Sequence, residues 1–299
     1  TNAKLYAKKV IDSPYKLYTT KKGQWSAYQQ LFMGDNGENG ASVEAIFPIL
    51  QDGLKTTSYG TTLYLMAGSN DNSEHIKSAT VAGNNTTGGW AGNRMRPDLV
   101  LKFFPNNDAP NVAAYAMPAA ADDDRALFDG EGRNVSNGDD EKGVKVFTNG
   151  FSVCKFNNFK TDGSAGHNSL FPDADFFLMR AAEAYLMYAE ADARQNNGTT
   201  TAQGTAYINA LRTRANATTQ TAYSLRQICD EWSREFYFEG LRRTTLIRFG
   251  YFGGNVNYNW SWKGGVKNGR NFDSHLNLFP IPTSDLVANE ANLIQNPGY

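Results

Sequence analysis

Two carboxylates at helical spacing, Glu183 and Glu190, are the first candidates for acid–base chemistry. Seven residues separate them, roughly 10.5 Å along a helix axis, a span that could suit an inverting carboxylate pair. One face of a packed helix does not hold a substrate between its own carboxylates, so the pair reads as structural. Asp122-Asp123-Asp124-Arg125 concentrates charge, yet no base, nucleophile or metal-ligand spacing accompanies it. It reads as a polar turn entering an Ala126-Leu127-Phe128 strand. Arg234, Glu235, Glu239, Arg242 and Arg243 alternate in sign at helical spacing and read as ion pairs along a helix surface that hold the fold. His75, His167 and His275 are scattered, and Cys154 and Cys229 lie 75 positions apart. These spacings exclude a disulfide scaffold and a cysteine-based zinc site and argue against a histidine-rich metal centre; a single bridge stays open, with two buried free thiols the favoured reading. No phosphate-cradling glycine loop and no nucleophile elbow is present.

Binding chemistry is better represented. Tyr59 sits in Thr57-Ser58-Tyr59-Gly60, and Trp90 in Thr86-Thr87-Gly88-Gly89-Trp90-Ala91-Gly92. A tryptophan among glycines has little local sequence with which to build its own pocket. Either it packs down onto neighbouring strands, or it is exposed to take a flat, hydroxyl-rich ligand on its ring. Tyr258, Trp260 and Trp262 alternate and form a second possible platform, for which packing of the carboxyl-terminal loops is the favoured reading. Asp35, Asn36, Glu38 and Asn39 cluster in one loop, while Asp173 and Asp175 precede a long helical pattern. Such oxygen ligands suit calcium; the plainer reading is that Asp173 or Asp175 caps the helix.

These residues need a scaffold, and composition limits its kind. Lys and Arg number 29 against 30 Asp and Glu, for a net charge of -1. That balance lacks the basic footprint of a nucleic-acid binder or a polybasic membrane-surface patch. The richest apolar stretch, Ala113 to Ala121, is broken by Pro118 and falls short of the roughly 18 residues of a membrane span. Glycine at 28 and asparagine at 30 residues imply long loops, and 13% aromatics is high beside so much loop.

Three zones follow from the patterning. Residues 1–33 read as two short helices around the Ser13-Pro14 break, the second including Trp25 to Met33; the chain begins within a helical pattern, without the apolar core of a signal peptide. Residues 34–170 are loop-rich. Their candidate strands are Val43 to Ile49, Thr62 to Met66, Leu99 to Phe104, Val144 to Phe147 and Phe151 to Phe156. Residues 171–299 are mainly helical. One helix is expected from Asp175 to Gln195, stopping at Asn196-Asn197-Gly198; a second carries Tyr207, Ile208, Leu211 and Ala215, and a third Leu225, Ile228, Trp232 and Phe236.

The helical zone carries an ordered set of words. They are Arg180 to Glu190 (RAAEAYLMYAE), Ile208 to Ala215 (INALRTRA), Glu231 to Arg243 (EWSREFYFEGLRR), Leu246 to Gly250 (LIRFG), Phe279 to Pro282 (FPIP) and Gln295 to Tyr299 (QNPGY). In this order they closely resemble the carboxyl-terminal signature of the SusD/RagB family of cell-surface glycan-binding lipoproteins. Val10 to Leu17, Leu31 to Asp35 and Pro48 to Lys55 look like its starch-binding members.

The resemblance implies a mainly α fold, a tetratricopeptide-type helical scaffold with a loop-rich, partly β insertion. It implies no enzyme activity, and a ligand that is an α-glucan, starch or malto-oligosaccharide, with another polysaccharide or a helical-repeat protein adaptor as alternatives. It implies a lipoprotein at the surface of the outer membrane that delivers glycan to a TonB-dependent transporter, and a partner in an amino-terminal segment of the same protein. Tyr59 and Trp90 match two positions of the family's aromatic arc. Asp35, Gln51 and Asp175 match its calcium ligands, although Asp35-Asn36-Gly37 departs from the family's Asp-Asn-Asp.

Overall fold

The computed structural model describes residues 2–60, 94–133, 135, 149–168, 171–289 and 292–299, which form a mainly helical protein with two short two-stranded antiparallel sheets. They fall into two compact units, Thr1–Gly240 and Leu241–Tyr299. In the first unit, helices α1 (Asn2–Ile11) and α2 (Ala27–Gln30) precede strand β1 (Ala45–Ile49). Two short helices follow, α3 (Pro97–Val100) and α4 (Met117–Ala121), then β2 (Phe128–Asp129), which pairs with β3 (Ser152–Val153). Strand β4 (Phe176–Arg180) runs straight into α5 (Ala181–Gln195), followed by α6 (Ala202–Arg214) and α7 (Leu225–Phe236). Helices α1, α6 and α7 all pack against α5.

Local signals set several boundaries where the spacing places them. Ser224 and Gln227 close a capping box ahead of α7, satisfying backbone donors at its first turn. Asn197 and Gly198, both at positive φ, end α5. Cys154 and Cys229 are buried and free.

Other expectations are corrected by partners distant in sequence. The helix expected from Asp175 begins only at Ala181, because Phe176–Arg180 is drawn into antiparallel pairing with β1, Phe47 opposite Met179 and Ile49 opposite Phe176. β1 itself starts at Ala45, after a 3-10 turn over Ala41–Glu44. Leu99 to Phe104 is no strand: Pro97 opens a helical turn there, and Phe103 and Phe104 drop into the core. Trp25 to Met33 holds a single helical turn, and its residues are all buried. The Thr62 to Met66 and Val144 to Phe147 segments lie outside the described residues.

The core of this unit is aromatic, with Tyr28, Phe32, Phe128, Phe151, Phe156 and Phe176 in one cluster. Beside it runs a buried ion network. Arg180, without exposure, donates to Glu44 (2.9 Å), Glu235 (2.6 Å) and Glu239 (2.8 Å). Arg214 reaches Glu44 at 3.1 Å and also Glu235. Arg125 holds Asp123 through two bonds of 2.8 Å and reaches Glu231 at 2.7 Å. Lys155 donates to Glu239 at 2.6 Å and to the Tyr237 carbonyl, its ammonium 4.3 Å from the Tyr237 ring centre. Of the charges that sequence spacing assigns to a helix surface, Glu235 and Glu239 are therefore interior, while Arg234, Arg242 and Arg243 are half-buried. The Asp122 to Arg125 turn is an anchor for the same network.

Acid should weaken this arrangement. Burial pushes the Glu231 carboxyl up, but Arg125, Arg234 and Arg212 outweigh it and bring the pKa from 4.5 to about 2. Glu235 is lowered as well, by Arg214, Arg180 and Arg125 against burial. A carboxyl with a lower pKa folded than unfolded contributes stability above its unfolded value and loses it as pH falls toward the folded value. The melting temperature is therefore expected to drop progressively below about pH 4.5. Melting that stays unchanged down to about pH 3 would contradict the network's contribution.

The second unit contains α8 (Arg242–Arg248) and α9 (Thr283–Ala288). Tyr258 is buried and stacked on Tyr251 at 4.6 Å. Lys263, also buried, donates to the Tyr258 carbonyl at 2.6 Å and stands 4.7 Å from the Trp260 ring centre. Tyr258 and Trp260 thus pack about a lysine, as the packing reading expects of these two rings, while Trp260 and Trp262 are half-buried. Arg243 lies 3.8 Å from the Phe279 ring centre and donates to the Leu276 carbonyl.

Candidate functional site

The loop leaving β1 is shaped by its own side chains. Asp52 Oδ1 accepts hydrogen bonds from the backbone N–H groups of Leu54 (3.0 Å), Lys55 (2.7 Å) and Thr56 (3.0 Å). Those donors, Thr56 first, lower the Asp52 carboxyl to about 2. Gly53 follows at φ +64°, a conformation that disfavours other residues. A Cβ there would overlap Asp173 Oδ1 and lie 2.9 Å from the Phe171 carbonyl oxygen.

The loop is fastened to the 171–175 segment at several points. The Gln51 N–H donates to Asp175 Oδ1 (2.8 Å), and the Gln51 side chain donates to the Ala174 carbonyl (2.7 Å). At the far end Tyr59 sets its ring edge-on to Phe171, with centroids 5.6 Å apart. Tyr59 is 49% exposed, so its ring has surface for a flat ligand. Trp90 lies outside the described residues.

Between loop and segment is a cavity of about 350 Å³ whose wall includes Asp35, Glu38, Gln51, Asp173 and Asp175. The structure thus brings Asp35, Gln51 and Asp175 to one place. Asp175 is fixed by Asn36, which donates to its carbonyl and accepts from its N–H, both at 2.8 Å. Burial raises the Asp175 carboxyl, the Gln51 N–H opposes that, and the Glu38 charge adds to it. Asp35 is already engaged: Oδ2 accepts from the Thr161 hydroxyl (2.5 Å) and N–H (3.0 Å), and Oδ1 from Asn39 (3.3 Å).

Asp173, which the sequence offers with Asp175 as either an oxygen ligand or a helix cap, is not among the positions that the resemblance matches to calcium ligands. It is buried at 6% exposure, and its Oδ2 accepts from the His167 N–H at 3.0 Å and meets His167 Nδ1 at 2.9 Å. Its Oδ1 is buried without a hydrogen-bond partner among the described residues. An unsatisfied carboxylate oxygen is costly in a fold unless a cation or donor completes it. Among the described residues no three His, Cys, Asp or Glu side chains are grouped to hold a metal by themselves. A hard cation here would draw on Asp173, Asp175 and the Gln51 amide oxygen, with carbonyls and water completing its shell, a donor set that suits calcium. The available signal was the Asp173-Ala174-Asp175 spacing; the cap reading fails because β4 intervenes before the helix.

Glu190 is bonded to Arg194 at 3.0 Å, as the structural reading of the α5 carboxylates expects. Asp192, on the same helix, is buried and bound by Lys4 of α1 at 2.5 Å.

Comparison with known proteins places the chain in context. Residues 127–299 match the model of the SusD family. The chain is 40% identical to the starch-binding protein SusD of Bacteroides thetaiotaomicron, an alignment covering 99% of this chain and 55% of that protein. It therefore spans about half the length of this curated relative. Among solved structures, a surface glycan-binding protein A from Bacteroides thetaiotaomicron, in complex with laminarihexaose, shares the fold at TM-score 0.59 and 20% identity, over 99% of this chain and 59% of its own. A SusD-like protein from Bacteroides fragilis does so at TM-score 0.61 and 16% identity, over 99% and 61%.

Proposed function

The chain belongs to the SusD family, and we propose that it is part of a non-catalytic cell-surface protein that binds α-glucan, starch or malto-oligosaccharide. The observation that carries this reading is the 40% identity to a starch-binding protein along 99% of the chain. The exposed Tyr59 ring, braced by Phe171, supports it as one face of the glycan site, with Trp90 as its companion. Pyranose C–H faces lie against such rings and remove apolar area from water, while the tyrosine hydroxyl adds a hydrogen bond. The protein would sit as a lipoprotein on the outer membrane and hand its glycan to a TonB-dependent transporter. Electrophoresis through gels containing amylopectin, laminarin or no glycan tests the reading on the whole protein. Retardation by amylopectin without release of reducing sugar is expected. Retardation by laminarin alone would overturn the α-glucan assignment, sustained sugar release the non-catalytic one, and no retardation by either would favour a protein adaptor.

The cavity beside the loop is the proposed calcium site. Asp173, Asp175 and Gln51 would hold the ion, and Asp35 would act by fixing the 35–39 loop to Thr161. A bound cation supplies charge compensation for Asp173 and Asp175 and ties β1's loop to the segment ahead of β4. Chelation with EDTA is expected to lower the melting temperature by a few degrees, with recovery on adding excess calcium. Identical melting with and without EDTA would remove the ion from the account.

A further inference from the structure

The cation cavity and the aromatic face are built from the same two stretches of chain. Gln51 and Gly53 touch the 171–175 segment at one end of the loop, and Tyr59 touches it at the other. Between them Asp52 gathers the N–H groups of Leu54, Lys55 and Thr56, so the turn is internally braced. Across from it, Phe171 and Asp173 are two residues apart. A Cβ on Gly53 would meet both the Phe171 carbonyl and Asp173 Oδ1, which has no partner among the described residues, and the Phe171 ring braces Tyr59. A change in how Asp173 is satisfied is thus felt where the loop crosses it.

Resting on the glycan-binding reading, we propose that Gly53 and Asp173 couple the cavity to Tyr59, so that a divalent cation beside Asp173 tightens glycan binding. The cation takes up the unpaired Asp173 oxygen and the charge shared with Asp175, and holds the 171–175 segment at one spacing from the loop. The Tyr59 ring is then held in the orientation that receives a sugar, and less ordering is left for the glycan to impose. Coupling of this kind is reciprocal: glycan must tighten cation binding by the same factor.

Calorimetry on the whole protein reads both sides of the cycle, with calcium chloride titrated alone and maltoheptaose titrated in calcium or in EDTA. The expected result is calcium binding together with maltoheptaose affinity about fivefold or more weaker in EDTA. Asp173→Asn should bind maltoheptaose at the EDTA level whether or not calcium is present, and should bind calcium poorly. Gly53→Ala, should it fold, would retain the Asp173 carboxylate yet weaken glycan binding by displacing the loop; a melting curve checks its integrity. Calcium binding with equal maltoheptaose affinity in both buffers would overturn the coupling and leave the glycan reading standing. Absence of calcium binding would overturn it as well. Absence of maltoheptaose binding under every condition would instead strike at the α-glucan reading on which the coupling rests.

Discussion

Arg180→Ala is expected to destabilise the protein by about 3–5 kcal/mol, the cost typical of breaking a buried ion pair from one side. The guanidinium makes bonds to Glu44, Glu235 and Glu239, all buried, and stands 4.0 Å from the Phe236 ring centre. Alanine would leave three carboxylates sharing Arg214, Arg125 and Lys155, which already have partners of their own. The carboxylates lose their charged donor inside the fold, where an incompletely paired charge is costly. Arg180→Lys should recover only part of the loss, because an ammonium does not make the fork that spans both Glu239 oxygens. Lys8→Ala, at the exposed Lys8–Asp12 pair, should leave the urea midpoint near that of the parent. Equal midpoints for Arg180→Ala and Lys8→Ala would show that the interior network does not hold the fold.

The second large effect concerns binding. Trp90→Ala is expected to weaken maltoheptaose affinity by about thirtyfold or more, the scale of an aromatic hot spot of about 2 kcal/mol. Tyr59→Ala should weaken it less, since its ring is smaller and partly used against Phe171. The reason for choosing Trp90 is its place in Thr86-Thr87-Gly88-Gly89-Trp90, a glycine-rich setting for which the family resemblance implies a glycan contact. A core tryptophan would behave otherwise: its loss costs roughly 3–5 kcal/mol of stability and lowers the melting temperature broadly. Affinity lost at unchanged melting supports the arc. Melting lost at unchanged affinity would place Trp90 in the core and the site elsewhere.

The parts of this molecule that were legible in its sequence are those whose causes lie within a few residues. Leu225, Ile228, Trp232 and Phe236 mark α7 because their spacing is that of one helix face, and Asn197-Gly198 ends α5 because the positive φ is local. Phe176–Arg180 escaped because its conformation is set by β1, well over a hundred residues earlier, while its own apolar spacing continues smoothly into the helix. The ion network escaped for the same reason. Glu44, Arg125, Arg180, Arg214 and Glu235 come from separate elements, and sequence spacing sees only the pairs within α7.

The candidate site was legible in outline. Tyr59 was chosen for its polar, glycine-flanked setting and is exposed, as such a setting favours. Asp35, Gln51 and Asp175 meet at one cavity, but their grouping came from family resemblance. The open oxygen of Asp173 became visible only once Gly53, distant in sequence, was seen against it.

The most direct test of the account is a crystal structure of the whole protein grown with maltoheptaose. The account predicts sugar rings stacked on Tyr59, with no cleaved product in the site. Ordered oligosaccharide bound to a different surface, leaving the Tyr59 ring bare, would contradict it.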